Sequence, residues 1–269
     1  VRDELETAVA AAEAGAAAIR ERMGMTENVR SKSTPTDLVT DTDIAAGSTV
    51  VRTILTRDRS ASFVIEEDEV YEEAEVPRAS LQDPEVWVVD PLDGTTSFVH
   101  GFPCYSVSVA LLRHGRPVAG AVTNVPLAET VSAADGLGAF VGDQPVRCGR
   151  TESLNRALLV TGFPYDRGAP LDRQLSVLAA FLRTPIHGVR RDGSAAVDCC
   201  HVALGRTDGF WEYGLKPWDT AAGVVICRES GARVTAIDGS KWTVSSTGIL
   251  AANPILHERM LEVIKGIRA

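Results

Sequence analysis

The segment Trp87–Pro103, WVVDPLDGTTSFVHGFP, constrains this chain more than any other. Val86–Val89 is apolar, β-branched and aromatic, the content of a buried strand. Pro91 has no backbone N–H and is predicted to stop that strand, which leaves Asp90 at a sheet end. Asp93 follows, then Gly94, which permits a tight backbone, then the hydroxyls of Thr95 and Thr96. Two carboxylates fixed on one turn can share a hard divalent cation, with a backbone carbonyl of the same turn as a further ligand. Asp-Pro by itself reads as a turn capped by Asp, with Gly and Thr as ordinary turn residues. The whole segment, set beside acids at the ends of other elements, favours the cation.

Those acids are Glu66, at the end of a predicted strand Ala61–Ile65, and Asp219, at the start of a predicted helix Trp218–Glu229. The positive end of that helix favours ionised Asp219. Asp37 and Asp43 lie within and at the end of the polar segment Lys32–Asp43, in which Pro35 is predicted to hold Thr34 extended. Their ordinary roles are a turn residue and the N-cap of a helix Ile44–Thr56. Converging carboxylates repel by about 4 kcal/mol per close pair at an effective dielectric near ~20. A pocket built from them binds cations or raises its pKa values, and metal is the better answer. Gly193-Ser194-Ala195 opens a predicted helix Ser194–Leu204 with small residues and free amides, a phosphate cradle, although many helices begin this way. His100 reads as a packed or hydrogen-bonded imidazole. His114, His187, His201 and His257 lack zinc spacing, and no Gly-x-Ser-x-Gly elbow offers a serine nucleophile.

Net charge is −9, and Glu66–Glu75 alone holds seven acids and no base, so the rest of the chain carries only −2. No run of Lys and Arg with interleaved aromatics occurs, which argues against nucleic acid as a partner. The local acidity suits cations, and an anionic substrate needs a metal to bring it in. The five cysteines are odd in number and form no Cys-x-x-Cys pair, as expected of buried thiols in a reducing compartment, with the cytoplasm the default. No apolar stretch approaches the ~18 residues that span a bilayer, so no membrane partner is expected. The first residues lack a signal-peptide layout, although a chain opening on Val1 leaves a preceding segment open.

Residues 4–23 carry charges at helical spacing. Strand patterns cluster at Tyr105–Leu112, Val118–Val125 and Glu129–Ser132, with further strands at Ala157–Thr161, Asp208–Glu212, Ala232–Thr235 and Ile249–Ala252. Helices are predicted over Leu171–Leu182 and from Pro254 to about Ile264. The acidic stretch and Pro77–Pro84 read as a loop or mobile hairpin. No linker or repeat interrupts 1–269, so a single layered α/β unit is expected, with most candidate ligands before about residue 150 and the substrate residues after it.

At this point the sequence resembles the inositol monophosphatase family of metal-dependent phosphomonoesterases. Three motifs in register carry the likeness. They are Asp90-Pro91-Leu92-Asp93-Gly94-Thr95 followed by Phe98-Val99-His100 and Phe102-Pro103; Trp218-Asp219-Thr220-Ala221-Ala222-Gly223; and Ser33-Thr34-Pro35-Thr36-Asp37-Leu38-Val39-Thr40 leading to Asp43. Their order and separation fit the family from about residue 4 to 265. The resemblance implies an α-β-α-β-α sandwich of the inositol monophosphatase and fructose-1,6-bisphosphatase type, usually a lithium-sensitive homodimer. It also implies two to three Mg²⁺ ions. Glu66, Asp90 and the Leu92 carbonyl would hold the first; Asp90, Asp93 and Asp219 the second; Glu66 and water a weaker third. Thr95, hydrogen-bonded towards Asp43, would orient the attacking water. The Gly94 and Thr95 amides would take phosphate oxygens, and Gly193, Ser194 and Ala195 would line the substrate side. Glu212 matches an acid that binds ring hydroxyls, and Lys32, Asp37 and Glu67 would support the site.

The implied reaction is direct transfer of a phosphoryl group to water. Thr96-Ser97 and Glu212 favour a neutral polyol such as inositol, with a sister phosphatase activity on a sugar bisphosphate, a nucleotide or histidinol phosphate as the alternative. An aspartyl-phosphate mechanism needs Asp-x-Asp, whereas Asp90 and Asp93 stand one residue further apart. A non-catalytic regulatory protein on the same fold would show loss of ligand residues, and all are present. Three departures leave substrate identity open: Ile65 replaces a glycine before Glu66, Lys216-Pro217 makes the rim before Trp218 more basic, and Asp41 adds an acid beside the early segment.

Overall fold

The computed structural model describes residues 1–24, 28–32, 35 and 37–267. Ser33, Thr34 and Thr36, and with them the expected extension of Thr34, lie outside the described residues. Helix α1 (Arg2–Arg22) is followed by the short strands β1 (Arg30–Ser31) and β2 (Leu38–Val39), which pair with each other, then by helix α2 (Asp41–Arg57). The next elements are strand β3 (Phe63–Ile65), helix α3 (Asp68–Glu73), strand β4 (Glu85–Asp93) and helix α4 (Thr95–Val99). Strands β5 (Ser106–Arg113), β6 (Arg116–Asn124), β7 (Glu129–Ala134), β8 (Gly138–Val141) and β9 (Gln144–Val146) complete a seven-stranded sheet ordered β3 to β9, in which only the β3–β4 pair is parallel.

The second half begins with β10 (Leu158–Thr161), helix α5 (Ala169–Arg183), β11 (Gly188–Arg190), helix α6 (Ala195–Ala203) and β12 (Gly209–Tyr213). It closes with helix α7 (Pro217–Glu229), β13 (Arg233–Thr235), β14 (Gly248–Ala252) and helix α8 (Pro254–Lys265). Its five strands are ordered β11-β10-β12-β14-β13.

Packing stacks these elements into the α-β-α-β-α order expected. Ala8, Ala11, Ala12, Ala16 and Ile19 recur at helical spacing on α1 and join Val50 and Ile54 of α2 against one face of the larger sheet. Small residues there let the helices approach the sheet closely. Helices α6 and α7 fill the space between the sheets, where Ala196, Cys199, Ala222 and Val225 share a core with Ala110 and Val122 on one side and Phe210 and Ala251 on the other. Val177 and Phe181 of α5, with Leu256 and Met260 of α8, cover the outer face of the smaller sheet.

Three local expectations are corrected. Strand β4 does not stop at Asp90-Pro91: it runs to Asp93 through an irregularity in which Asp90 faces Ser108 and Asp93 faces Ser106, one residue more on β4 than on β5. Such a bulge tolerates Pro91, whose missing N–H then costs no ladder bond. The acidic stretch is not a loop or hairpin, because Val70 and Tyr71 dock α3 onto the core while its acids face outward, and the Ile65 N–H donates to the Tyr71 hydroxyl at 2.6 Å. Helix α2 starts at Asp41, with Thr40 rather than Asp43 as its N-cap. Asp43 instead sits in the first turn and reaches back to the Thr40 N–H at 2.9 Å, a capping box that fixes its carboxylate. Strands β8 and β9 and helix α4 are short and carry no clear periodicity in the sequence.

Candidate active site

The bulge at the end of β4 is what gathers the acids. It sets Asp90, the Leu92 carbonyl, Asp93, Gly94 and Thr95 along one wall of a cleft. Gly94 lies at φ +95°, where a Cβ would also meet the Cys104 and Gly193 carbonyls at 2.9 and 3.0 Å, so only glycine turns the chain here without strain. The facing wall comes from Gly193, Ser194 and Ala195 at the start of α6, Glu212 on β12 and Asp219 at the start of α7. Glu66, just past β3, closes the side beside Lys32 and Asp37.

Several of the carboxylates are held by nearby donors. Asp93 Oδ2 accepts from the Ser194 hydroxyl at 2.6 Å and the Ala196 N–H at 2.8 Å, which ties β4 to the α6 N-terminus. Asp219 Oδ2 accepts from the Lys216 N–H at 2.7 Å in the first turn of α7. The Leu92 N–H donates to Asp90 Oδ1 at 3.1 Å. The Lys32 ammonium lies 2.7 Å from Glu66, 2.5 Å from Glu67 and 3.8 Å from Asp37. Burial opposes its charge, but Glu66 and Glu67 outweigh that and hold it above the usual lysine range.

Burial and mutual repulsion dominate the electrostatics. Asp90 is pushed well above the carboxylate range by burial and then by Glu66, Asp93 and Asp219. Asp219 is raised well above it by burial, Glu66 and Asp93. Burial raises Asp93 to about 6 against the bonds from Ser194 and Ala196. Glu67 is raised to about 8 by burial and Glu66, and Glu212 to about 8 by burial and Asp93, with Arg191 opposing. Concentrated negative charge of this kind is relieved by a cation.

The donor set fits a hard divalent ion: Glu66, Asp90, Asp93, Asp219 and the Leu92 carbonyl offer oxygen only, and all line one cleft. Among the described residues, no three His, Cys, Asp or Glu side chains already stand as a metal-binding group. The fit is therefore one of chemistry and placement, with Lys32 and backbone N–H groups partly balancing the acids.

Most residues singled out from sequence meet in this cleft, namely Lys32, Asp37, Glu66, Asp90, Leu92, Asp93, Gly94, Thr95, Gly193, Ser194, Ala195, Glu212 and Asp219. Asp43 is outside it, buried behind Thr95, whose Oγ1 lies 3.1 Å from Asp43 Oδ1. Burial raises Asp43 to about 6 against its bonds from Thr40. Glu67 is also set back, at 2 % exposure, on the far side of Lys32. Asp41 turns away to Asn28 and Arg30 at the surface.

The cleft also contains Gly162, Tyr165, Arg191 and Asp198, which sequence reasoning missed. A lone acid in the apolar run Ala195–Ala203 was the available signal for Asp198. Gly162 gives no local signal, because its role is set by Glu212: a Cβ on Gly162 would lie 2.3 Å from both Glu212 carboxylate oxygens.

Residues 1–269 match the model of the inositol monophosphatase family. An inositol-1-monophosphatase from Synechocystis is 38 % identical over 97 % of this chain and 88 % of its own length. A Neisseria meningitidis protein named putative Nus factor SuhB is 43 % identical over 66 % of this chain and 68 % of its own. The solved structure of inositol monophosphatase from Anabaena (Nostoc) superposes with a TM-score of 0.86 at 32 % identity, covering 99 % of this chain and 97 % of that one.

Proposed function

Because the chain belongs to the inositol monophosphatase family and is a phosphomonoesterase, we propose that it hydrolyses a small polyol phosphate, inositol monophosphate first among them, with two to three Mg²⁺ ions. The observation that carries this reading is the single cleft lined by Glu66, Asp90, Leu92, Asp93, Thr95, Glu212 and Asp219. Glu66, Asp90, Asp93, Asp219 and the Leu92 carbonyl would hold the ions. When bound, such ions neutralise the phosphate, lower the pKa of a water and stabilise the leaving alkoxide.

The chain's own residues supply the rest. The Gly94 and Thr95 amides donate to phosphate oxygens. Thr95 Oγ1 has one proton and two acceptors in reach, Asp43 Oδ1 at 3.1 Å and the Leu92 carbonyl at 3.0 Å. With that proton given to Asp43, its lone pair accepts from the attacking water and turns the water oxygen towards phosphorus. Glu66 stands across the cleft as a second acceptor for a water proton. Glu212 takes hydroxyls of the alcohol, and the small residues Gly193 and Ala195 leave room for its ring. Asp37 and Glu67 support Lys32, which keeps Glu66 in place.

The acidic balance, −9 overall, disfavours a nucleic-acid partner, and no described helix is long and apolar enough to cross a membrane. A homodimer in the cytoplasm and lithium inhibition complete the reading. Phosphate release from inositol 1-phosphate, fructose 1,6-bisphosphate, 3′-phosphoadenosine 5′-phosphate and histidinol phosphate, with Mg²⁺ and with chelator, tests it. Chelator-sensitive release fastest on the inositol ester supports the assignment. Faster release from another ester moves it to a sister activity, and no release from any of them contradicts it.

A further inference from the structure

Asp198 is the one acid of the cleft that no step above uses. It lies in the first half of α6, on the same helix whose start holds Asp93. It is 1 % exposed, and among the described residues neither carboxyl oxygen has a hydrogen-bond partner, although it lines the cleft. Arg191 is near enough to favour its charge yet donates it no bond, while Glu212, Asp192 and Asp93 all oppose that charge. Burial and these acids push it well above the carboxylate range. A protonated carboxyl both donates and accepts, the pairing a hydroxyl needs.

A buried carboxyl without partners is costly, and the ordinary uses of an acid do not offset that cost here. Asp198 lies in the first turn of α6, whose positive end favours a carboxylate, but no N–H there donates to it, and an acid in an ion pair meets its cation. What remains is a partner that arrives in the cleft. Glu212 stands nearby on β12, with its carboxylate against Gly162. Carboxyls from a helix and a strand that line one cleft and oppose each other's charge suit a ligand that carries several hydroxyls.

We propose that Asp198 is a second substrate-reading carboxyl, which together with Glu212 takes hydroxyl groups of the alcohol part of a polyol phosphate. This rests on the phosphatase reading above and adds a specificity residue to it. Loss of the contact leaves phosphate binding and the attacking water untouched, so it appears in KM for esters that carry hydroxyls.

The test measures kcat and KM of the parent, Asp198→Ala and Asp198→Asn on inositol 1-phosphate and on p-nitrophenyl phosphate, whose aryl group has no hydroxyl. Asp198→Ala raises KM for the inositol ester by about tenfold, the size of one lost hydrogen bond. It leaves the aryl ester within about twofold and does not lower the melting temperature. Asp198→Asn, whose amide also donates and accepts, restores most of the loss and serves if the alanine variant fails to fold. An equal loss on both esters, or an unchanged preference in both variants, overturns the proposal alone. A parent with no preference for the inositol ester overturns the substrate reading, and this proposal with it.

Discussion

Thr95 Oγ1 lies 3.1 Å from Asp43 Oδ1, a hydrogen bond that joins the first turn of α4 to the first turn of α2. Asp43 is itself fixed by the Thr40 hydroxyl at 2.6 Å and the Thr40 N–H at 2.9 Å. A buried chain therefore runs from a helix cap to a hydroxyl just past the bulged strand. Through Thr95 it touches the Leu92 carbonyl, yet none of its members is a candidate ligand, which separates their role from ion binding.

If that chain orients the water, Thr95→Ala loses about 10²–10⁴ in kcat while KM changes little, and Thr95→Ser keeps most of the rate. Steady-state kinetics on the preferred ester decide this. A loss confined to KM would assign Thr95 to substrate binding instead.

Gly162 shapes the leaving-group side. A methyl group there would collide with the Glu212 carboxylate, the movable end of a side chain, rather than with backbone. Gly162→Ala is expected to raise KM for a polyol ester by about tenfold through displaced Glu212, with the melting temperature within about 2 °C of the parent. Unchanged KM would show that Glu212 takes no part in binding the alcohol.

Stability should depend on pH through His257, far from the cleft. Its ring is fully buried in α8, with Nε2 2.9 Å from Thr235 Oγ1. Burial, then Arg233, lowers its pKa from 6.5 to about 4. The unfolded chain therefore binds the proton more readily between those values. The contribution is complete above pH 6.5 and is lost as pH falls towards 4, on the order of 3 kcal/mol in all. Urea unfolding at several pH values measures the slope, and His257→Gln should flatten it. An identical slope in the variant would place the titration elsewhere.

Much of this was readable from the residues. Alternating and helical spacings located most elements, and the Asp90–Thr95 and Trp218–Gly223 motifs marked both walls of the cleft. Other features depend on neighbours distant in the chain. Pro91 ends a strand by local rules, but β5 accommodates it in a bulge. Seven acids look like solvent-exposed loop until Val70 and Tyr71 are seen docked against the core. Asp198 is marked only as a lone acid in an apolar run and Gly162 not at all, since Asp198 matters for the partners it lacks and Gly162 for the carboxylate packed against it.

The most direct measurement is phosphate release from inositol 1-phosphate by the parent and by Asp93→Asn, each with Mg²⁺ and with chelator. Asp93 is held by Ser194 and Ala196 from the opposite wall, and an amide can replace that anchoring carboxylate without opening a cavity. Chelator-sensitive release by the parent, and none above background from a folded Asp93→Asn protein, is the expected result. Release by Asp93→Asn at the parent rate, or parent release that chelator does not touch, would contradict it.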